Sequence, residues 1–253
     1  MAANFWTSTH CKKWLLTQDD LNKAVQKQLG VLNQRQFRFL NIYFVHAIQR
    51  VGKHLHMRQR AIATAVVYFK RFYTKYTFKE SDPRLLVPTC LYLSSKVEEL
   101  TVSMPALLHL MKLHVDSSCT FTEDQIVRCE FSLLRALKYS LVVFHPYRPL
   151  VQFVSDSGFG ELLEPAWALV NDSYCSDICL LHPPFKAAIA CLYLAGFIHN
   201  NQRGLMQWLS EIAVDLTDIQ DIVTDLVKLY SLWEGTTQEE INQALKLVVP
   251  VNT

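Results

Sequence analysis

Apolar residues recur at helical spacing along almost the whole chain. Phe37, Leu40, Phe44, Ala47, Ile48 and Val51 fall three and four apart and mark one helix face. Ile62, Val66, Phe69 and Tyr73 mark a second. Asp82-Pro83 is an N-cap followed by a first-turn proline, and predicts a helix running to about Glu99. That helix is apolar on nearly every side, as a buried central helix is. Thr122 and Gln125 are spaced as a capping box before Ile126, Cys129, Leu133, Leu134 and Leu137. Further helices are expected near 163–176, 184–199 and 205–212, and a last long one carries Leu216, Ile219, Ile222, Val223, Leu226, Tyr230 and Trp233. No segment alternates convincingly as a strand would. The pattern predicts an all-α fold.

The chain also repeats itself. Six residues separate Pro83 from Cys90-Leu91-Tyr92-Leu93, and six separate Pro184 from Cys191-Leu192-Tyr193-Leu194, with an offset of 101 residues throughout. Each copy reads as the central helix of its own bundle, wrapped by amphipathic neighbours. The expected organisation is an N-terminal helical segment over 1–30, a first repeat over 31–142 and a second over 143–253. The copies then diverge: Ser94-Ser95-Lys96-Val97-Glu98-Glu99 is charged, whereas Ala195-Gly196-Phe197-Ile198-His199 is not. The polar feature belongs to the first repeat, and the second keeps mainly the scaffold.

Composition narrows the picture. Half of the 253 residues are hydrophobic, and seven Gly and nine Pro are few for a sandwich, a barrel or a disordered chain. The longest apolar run, Ala187 to Ile198, is short of the roughly 18 residues that a membrane span needs. The N-terminus lacks the pattern of a signal peptide, so the seven Cys are expected to be reduced, mostly buried thiols. The net charge of +2 hides an asymmetry: residues 1–140 carry 20 Lys/Arg against 10 Asp/Glu, and 141–253 carry 5 against 13. The stretch Arg35–Arg84 holds eleven Lys/Arg and two acids, interleaved with Tyr68, Phe69, Phe72, Tyr73 and Tyr76. Those rings fall on faces that pack inward, which favours a partner-facing surface over direct nucleic-acid binding.

Enzyme motifs are missing: no Gly-rich phosphate loop, no Gly-x-Ser-x-Gly elbow and no His-Glu-x-x-His. Cys175, Cys179 and His182 are spaced as metal ligands, but Pro183 ends the helix and no fourth ligand is evident, so they read as structural. His54 and His56 point apart on a helix. Asn171-x-Ser173 matches a glycosylation acceptor in a chain with no mark of secretion. Neither catalysis, metal nor cofactor is expected.

Ser95-Lys96-Val97-Glu98-Glu99 closing a buried helix, with Arg128-Cys129-Glu130 on a later capped one, resembles the cyclin box. The resemblance covers almost the whole chain and both repeats. Phe5-Trp6-x-Ser8-x-His10, Tyr68-Phe69-Lys70-Arg71-Phe72-Tyr73 and His145-Pro146-Tyr147-Arg148-Pro149-Leu150 are similar to the C-type branch of that family. It implies a non-enzymatic nuclear subunit whose partner is the cyclin-dependent kinase of the Mediator kinase module, alongside that module's other subunits, acting in transcription by RNA polymerase II. It also implies roles. Lys96 and Glu130 would hold the backbone of the kinase's αC helix, beside an apolar pocket of Leu93, Val97, Leu134 and Leu141. Glu98 and Glu99 would meet an activation-loop Arg cluster, and Phe5, Trp6 and Trp14 would form an N-terminal anchor. His145, Tyr147 and Arg148 would shape a partner groove.

The chain departs from cell-cycle cyclins in two places. Their ion-paired Arg and Asp are replaced by Asn41 and Lys70, and the Trp of their substrate-docking patch by Ala47. No docking of short basic-hydrophobic motifs is therefore expected. The runner-up reading is an adaptor resembling general transcription factor IIB, which also has two cyclin-like repeats but binds promoter DNA; the basic first half supports it, and the acidic second half opposes it.

Overall fold

A computed structural model describes residues 4–30, 32–116, 120–212 and 214–248. The regular secondary structure of these residues is all helical, with no strand among them. The helices are α1 (Thr9–Trp14), α2 (Gln18–Gln28), α3 (Gln34–His54), α4 (Gln59–Tyr73), α5 (Pro83–Val97), α6 (Met104–His114) and α7 (Glu123–Ala136). They continue with α8 (Tyr147–Ser157), α9 (Leu163–Ser173), α10 (Ile178–Leu181), α11 (Pro184–Ile198), α12 (Gln202–Glu211), α13 (Leu216–Glu234) and α14 (Gln238–Val248). The chain divides into two compact units. One runs through Val143 and takes up the chain again from Gly235; the other is Phe144–Glu234.

In the first unit α5 is the axis, packed by α3, α4, α6 and α7. Its start is built as the sequence predicts: the Asp82 carboxylate accepts from the Arg84 amide at 2.8 Å, and Pro83 occupies the first turn, where no N–H is needed. The Thr122–Gln125 box closes the start of α7, each side chain accepting from the other's backbone N–H. Phe44, Phe69, Tyr73 and Phe78 meet edge to face or tilted in the core, with centroids 4.4–6.4 Å apart. Tyr68 and Phe72 are buried as well, and among the five interleaved rings Tyr76 alone is exposed. Gly52 lets α3 approach α4, because a Cβ there would lie 2.7 Å from the Ile62 side chain.

The second unit repeats the plan around α11, packed by α8, α9, α12 and α13. Pro184 opens α11 as Pro83 opens α5. Gly196 fills the tightest approach, where a Cβ would fall 2.0 Å from Leu205.

The division differs from the sequence reading at both ends, and the N-terminal helical segment, read as separate over 1–30, groups with the first unit. That reading gave 143–253 to the second repeat, whereas Gly235 onward groups with the first unit. The physical reason is α14, an amphipathic helix that buries Ile241, Ala244 and Val248 and packs on α3. Arg35 of α3 holds it there through the Gly235 carbonyl at 2.5 Å and the Glu240 carboxylate at 3.6 Å.

Candidate functional site

The last turn of α5 and the outer face of α7 meet at an ion pair. The Lys96 ammonium contacts the Glu130 carboxylate, with the Lys96 side chain 46% and the Glu130 side chain 10% exposed. Lys96 also lies over the Tyr92 ring one turn earlier, 4.2 Å from its centroid. The pair is therefore oriented, with the remaining ammonium donors at the surface. An exposed ion pair adds about 0–1 kcal/mol, but Glu130 is nearly buried, so loss of its partner would leave a charge poorly solvated.

Apolar groups border the pair. Leu93 is buried, and Val97, Leu134 and Leu141 are half-buried. On α7 and in the segment that follows it are four exposed side chains that the sequence reading did not single out: Phe131 (62% exposed), Tyr139 (68%), Val142 (56%) and Val127. Val127 and Phe131 are one turn apart on α7, so the helix carries a second apolar stripe besides its core face. Exposed rings of this size commonly mark an interaction surface. Tyr139 follows Lys138 in a left-handed pair of non-glycine residues, with φ of 54° and 50°. The Tyr139 amide donates to the Leu134 carbonyl at 3.0 Å and holds the turn that turns the ring outward.

The remaining site residues separate into internal and outward groups. Glu98 is internal: its carboxylate accepts from Thr64 at 3.0 Å and pairs with Arg60 at 2.9 Å, beside the first turns of α4, which has no side-chain cap. Glu99 is exposed and left-handed, with φ of 55°. Trp14 is internal too, 2% exposed, with the Arg71 guanidinium and Lys75 ammonium 4.9 and 4.5 Å from its ring centroid. His10 is buried beside it; desolvation, and then the Arg71 charge, lower its pKa to about 3. Phe5 packs on His10 and Trp6, while Trp6 itself is 58% exposed.

In the second unit His145 Nδ1 is 2.6 Å from the Tyr174 hydroxyl, and Tyr147 donates to Asn171 at 2.9 Å. Both rings are tied into their own unit, and Arg148 is exposed. Asn171 is thereby engaged. Cys175 is buried, and no group of His, Cys, Asp or Glu among the described residues is arranged to hold a metal ion. Burial pushes the Cys90, Cys129 and Cys191 thiols up. Asn41 donates to the Phe37 carbonyl at 3.0 Å, Lys70 is buried, and Ala47 is covered.

The cyclin N-terminal domain family matches residues 9–142, more than half of the chain. The chain belongs to the cyclin family. It is 42% identical to cyclin-C of Rattus norvegicus over 93% of this chain and 86% of that one. It is 41% identical to cyclin-C of Drosophila melanogaster over 99% and 97%. The fold is similar to a chain in the structure of the CAK complex of Chaetomium thermophilum bound to ATP-γ-S, with a TM-score of 0.80 and 17% identity over 96% of this chain and 87% of that one. As a cyclin it is a kinase regulatory subunit and not itself an enzyme. The Lys96–Glu130 pair lies within the matched segment.

Proposed function

We propose that this cyclin is the activating subunit of the cyclin-dependent kinase of the Mediator kinase module, and acts in the nucleus on transcription by RNA polymerase II. The observation that carries the reading is an oriented Lys96–Glu130 pair set among exposed apolar side chains. Such a surface suits a helix that offers one apolar side chain and a stretch of backbone polar groups. Lys96 donates to a carbonyl and Glu130 accepts from an N–H, each as a charge-assisted bond. Phe131, Tyr139, Val142, Leu93, Val97, Leu134 and Leu141 supply the apolar contact. The cyclin contributes no reacting atom; it binds the kinase conformation in which the αC Glu meets the ATP-positioning Lys, and shifts the equilibrium toward it.

The internal bonds of Glu98 support Glu99 as the acid that meets an activation-loop Arg cluster, with Glu98 fixing the turn that carries it. Trp6 is the outward part of the N-terminal anchor and Trp14 its root. Arg148 is the exposed member of the groove for other module subunits, close in the chain to His145 and Tyr147.

The test is co-purification of wild type and of Lys96→Glu/Glu130→Lys with the Mediator kinase, followed by a peptide phosphorylation assay. Binding and activation by wild type, lost in a variant that stays folded, is the expected result. Unchanged binding by the variant would sink the site. Absence of kinase binding together with retardation of promoter DNA would move the reading to the transcription factor IIB-like adaptor.

A further inference from the structure

Neither α3 nor α6 contains a single carboxylate. The fold joins their C-terminal ends. The His54 and His114 rings stack with centroids 4.1 Å apart and planes 10° from parallel, and Arg50 Nη1 donates to the His114 carbonyl at 3.3 Å. Arg50 and His54 at the end of α3 lie at this joint, and Lys53 on α3 and His109 and Lys112 on α6 are exposed as well. The next acid along the chain, Asp116, is engaged by Arg84 at 2.8 Å. Local potential is positive enough to register on His114, whose pKa is lowered by desolvation and then by His54, Arg50 and His109. Basic residues in a helix's last turn complement the helix dipole, but that accounts for about one charge per helix and not for two helices free of acids.

We infer that the joined ends of α3 and α6 form a docking surface for a phosphorylated peptide segment. Each phosphate carries about −1.5 to −2 charges and accepts well from guanidinium, ammonium and imidazole groups. Arg50 beside the stacked imidazoles, with the exposed ammonium groups of Lys53 and Lys112 on the same two helices, suits phosphate groups. Leu113, 65% exposed on α6, offers an apolar contact that a peptide side chain uses and a sugar-phosphate backbone does not. Single-stranded nucleic acid is held by aromatic faces along an extended track, whereas here the two imidazoles stack on each other. The fixed cations sit within the last one to two turns of each helix, a length of roughly 10 Å. The inference does not depend on which kinase the cyclin meets, since the full chain alone carries the surface.

The test is fluorescence anisotropy with the full chain and a labelled Gly/Ser/Leu peptide bearing two phosphoserines. The comparators are the same peptide unphosphorylated and a uridine oligomer of equal length. The expected result is phosphopeptide binding that falls roughly tenfold or more in Arg50→Glu/Lys53→Glu/Lys112→Glu, from three lost surface pairings. It persists in Lys12→Glu/Lys13→Glu/Lys23→Glu, equally exposed on α1 and α2. Should charge reversal unfold the chain, Arg50→Gln/Lys53→Gln/Lys112→Gln gives the same reading. Unchanged binding in these variants, an equal loss in both sets, or tighter binding of the uridine oligomer than of the phosphopeptide overturns the inference.

Discussion

Lys96 and Glu130 form one ion pair with unequal access to water: the ammonium is half in solvent and the carboxylate almost wholly out of it. That inequality makes the two ends non-equivalent. Lys96→Met leaves a nearly buried carboxylate unpaired and is expected to destabilise the fold by about 1–2 kcal/mol, with Lys96→Glu costing more. Lys96→Met/Glu130→Gln removes both charges and is expected to recover most of the loss. Urea unfolding of the three variants checks this; a double variant less stable than Lys96→Met would contradict it.

Trp14 and Trp6 belong to the same segment and should behave oppositely. Trp14→Ala removes a buried indole and the aromatic face beneath Arg71 and Lys75, and is expected to cost about 3–5 kcal/mol. Trp6→Ala should stay within about 0.5 kcal/mol. Denaturant midpoints read the stability difference. On the proposed anchor role, kinase affinity falls in Trp6→Ala while stability does not.

Acid should loosen the N-terminal segment through His10. Its folded pKa of about 3 lies below the ordinary 6.5, so the unfolded state binds the proton more readily. The contribution is fully present above pH 6.5 and is lost as pH falls from there toward 3, by up to about 1.4 kcal/mol per pH unit. Stability measured between pH 7 and 5 should fall less steeply in His10→Gln than in wild type. Identical slopes would remove His10 as the cause.

Glu98 and Glu99 are neighbours with separate expected effects. Glu98→Ala loses the bonds to Thr64 and Arg60 and should lower stability by about 1–2 kcal/mol. Glu99→Ala should leave the melting temperature in place and act only on the kinase complex. A stability loss in Glu99→Ala larger than in Glu98→Ala would reverse the assignment.

Much of this molecule is legible along the chain because the signals are local. Helix faces arise from residues three and four apart, and the Asp82 and Thr122 caps act within three residues. The paired central helices, opened by Pro83 and Pro184, depend on no contact across the fold. The second apolar stripe of α7 at Val127 and Phe131 was equally present in the sequence, hidden by the stronger core stripe. α14 was missed because a short helix after Gly235 carries no mark of the helix it packs on.

The sequence by itself determined the all-helical class, the repeat, the family and the presence of Lys96 at the end of one helix and Glu130 on a later one. Only the tertiary structure decided which of those charges is sheltered, since burial depends on what α5 and α7 bring together. It alone decided that Glu98 is bonded inward and Glu99 left outward, through Arg60 and Thr64 more than thirty residues away. It likewise decided that α14 joins the first unit, and that His54 meets His114. Such contacts join residues far apart in the chain, where spacing and composition carry no information about distance in space.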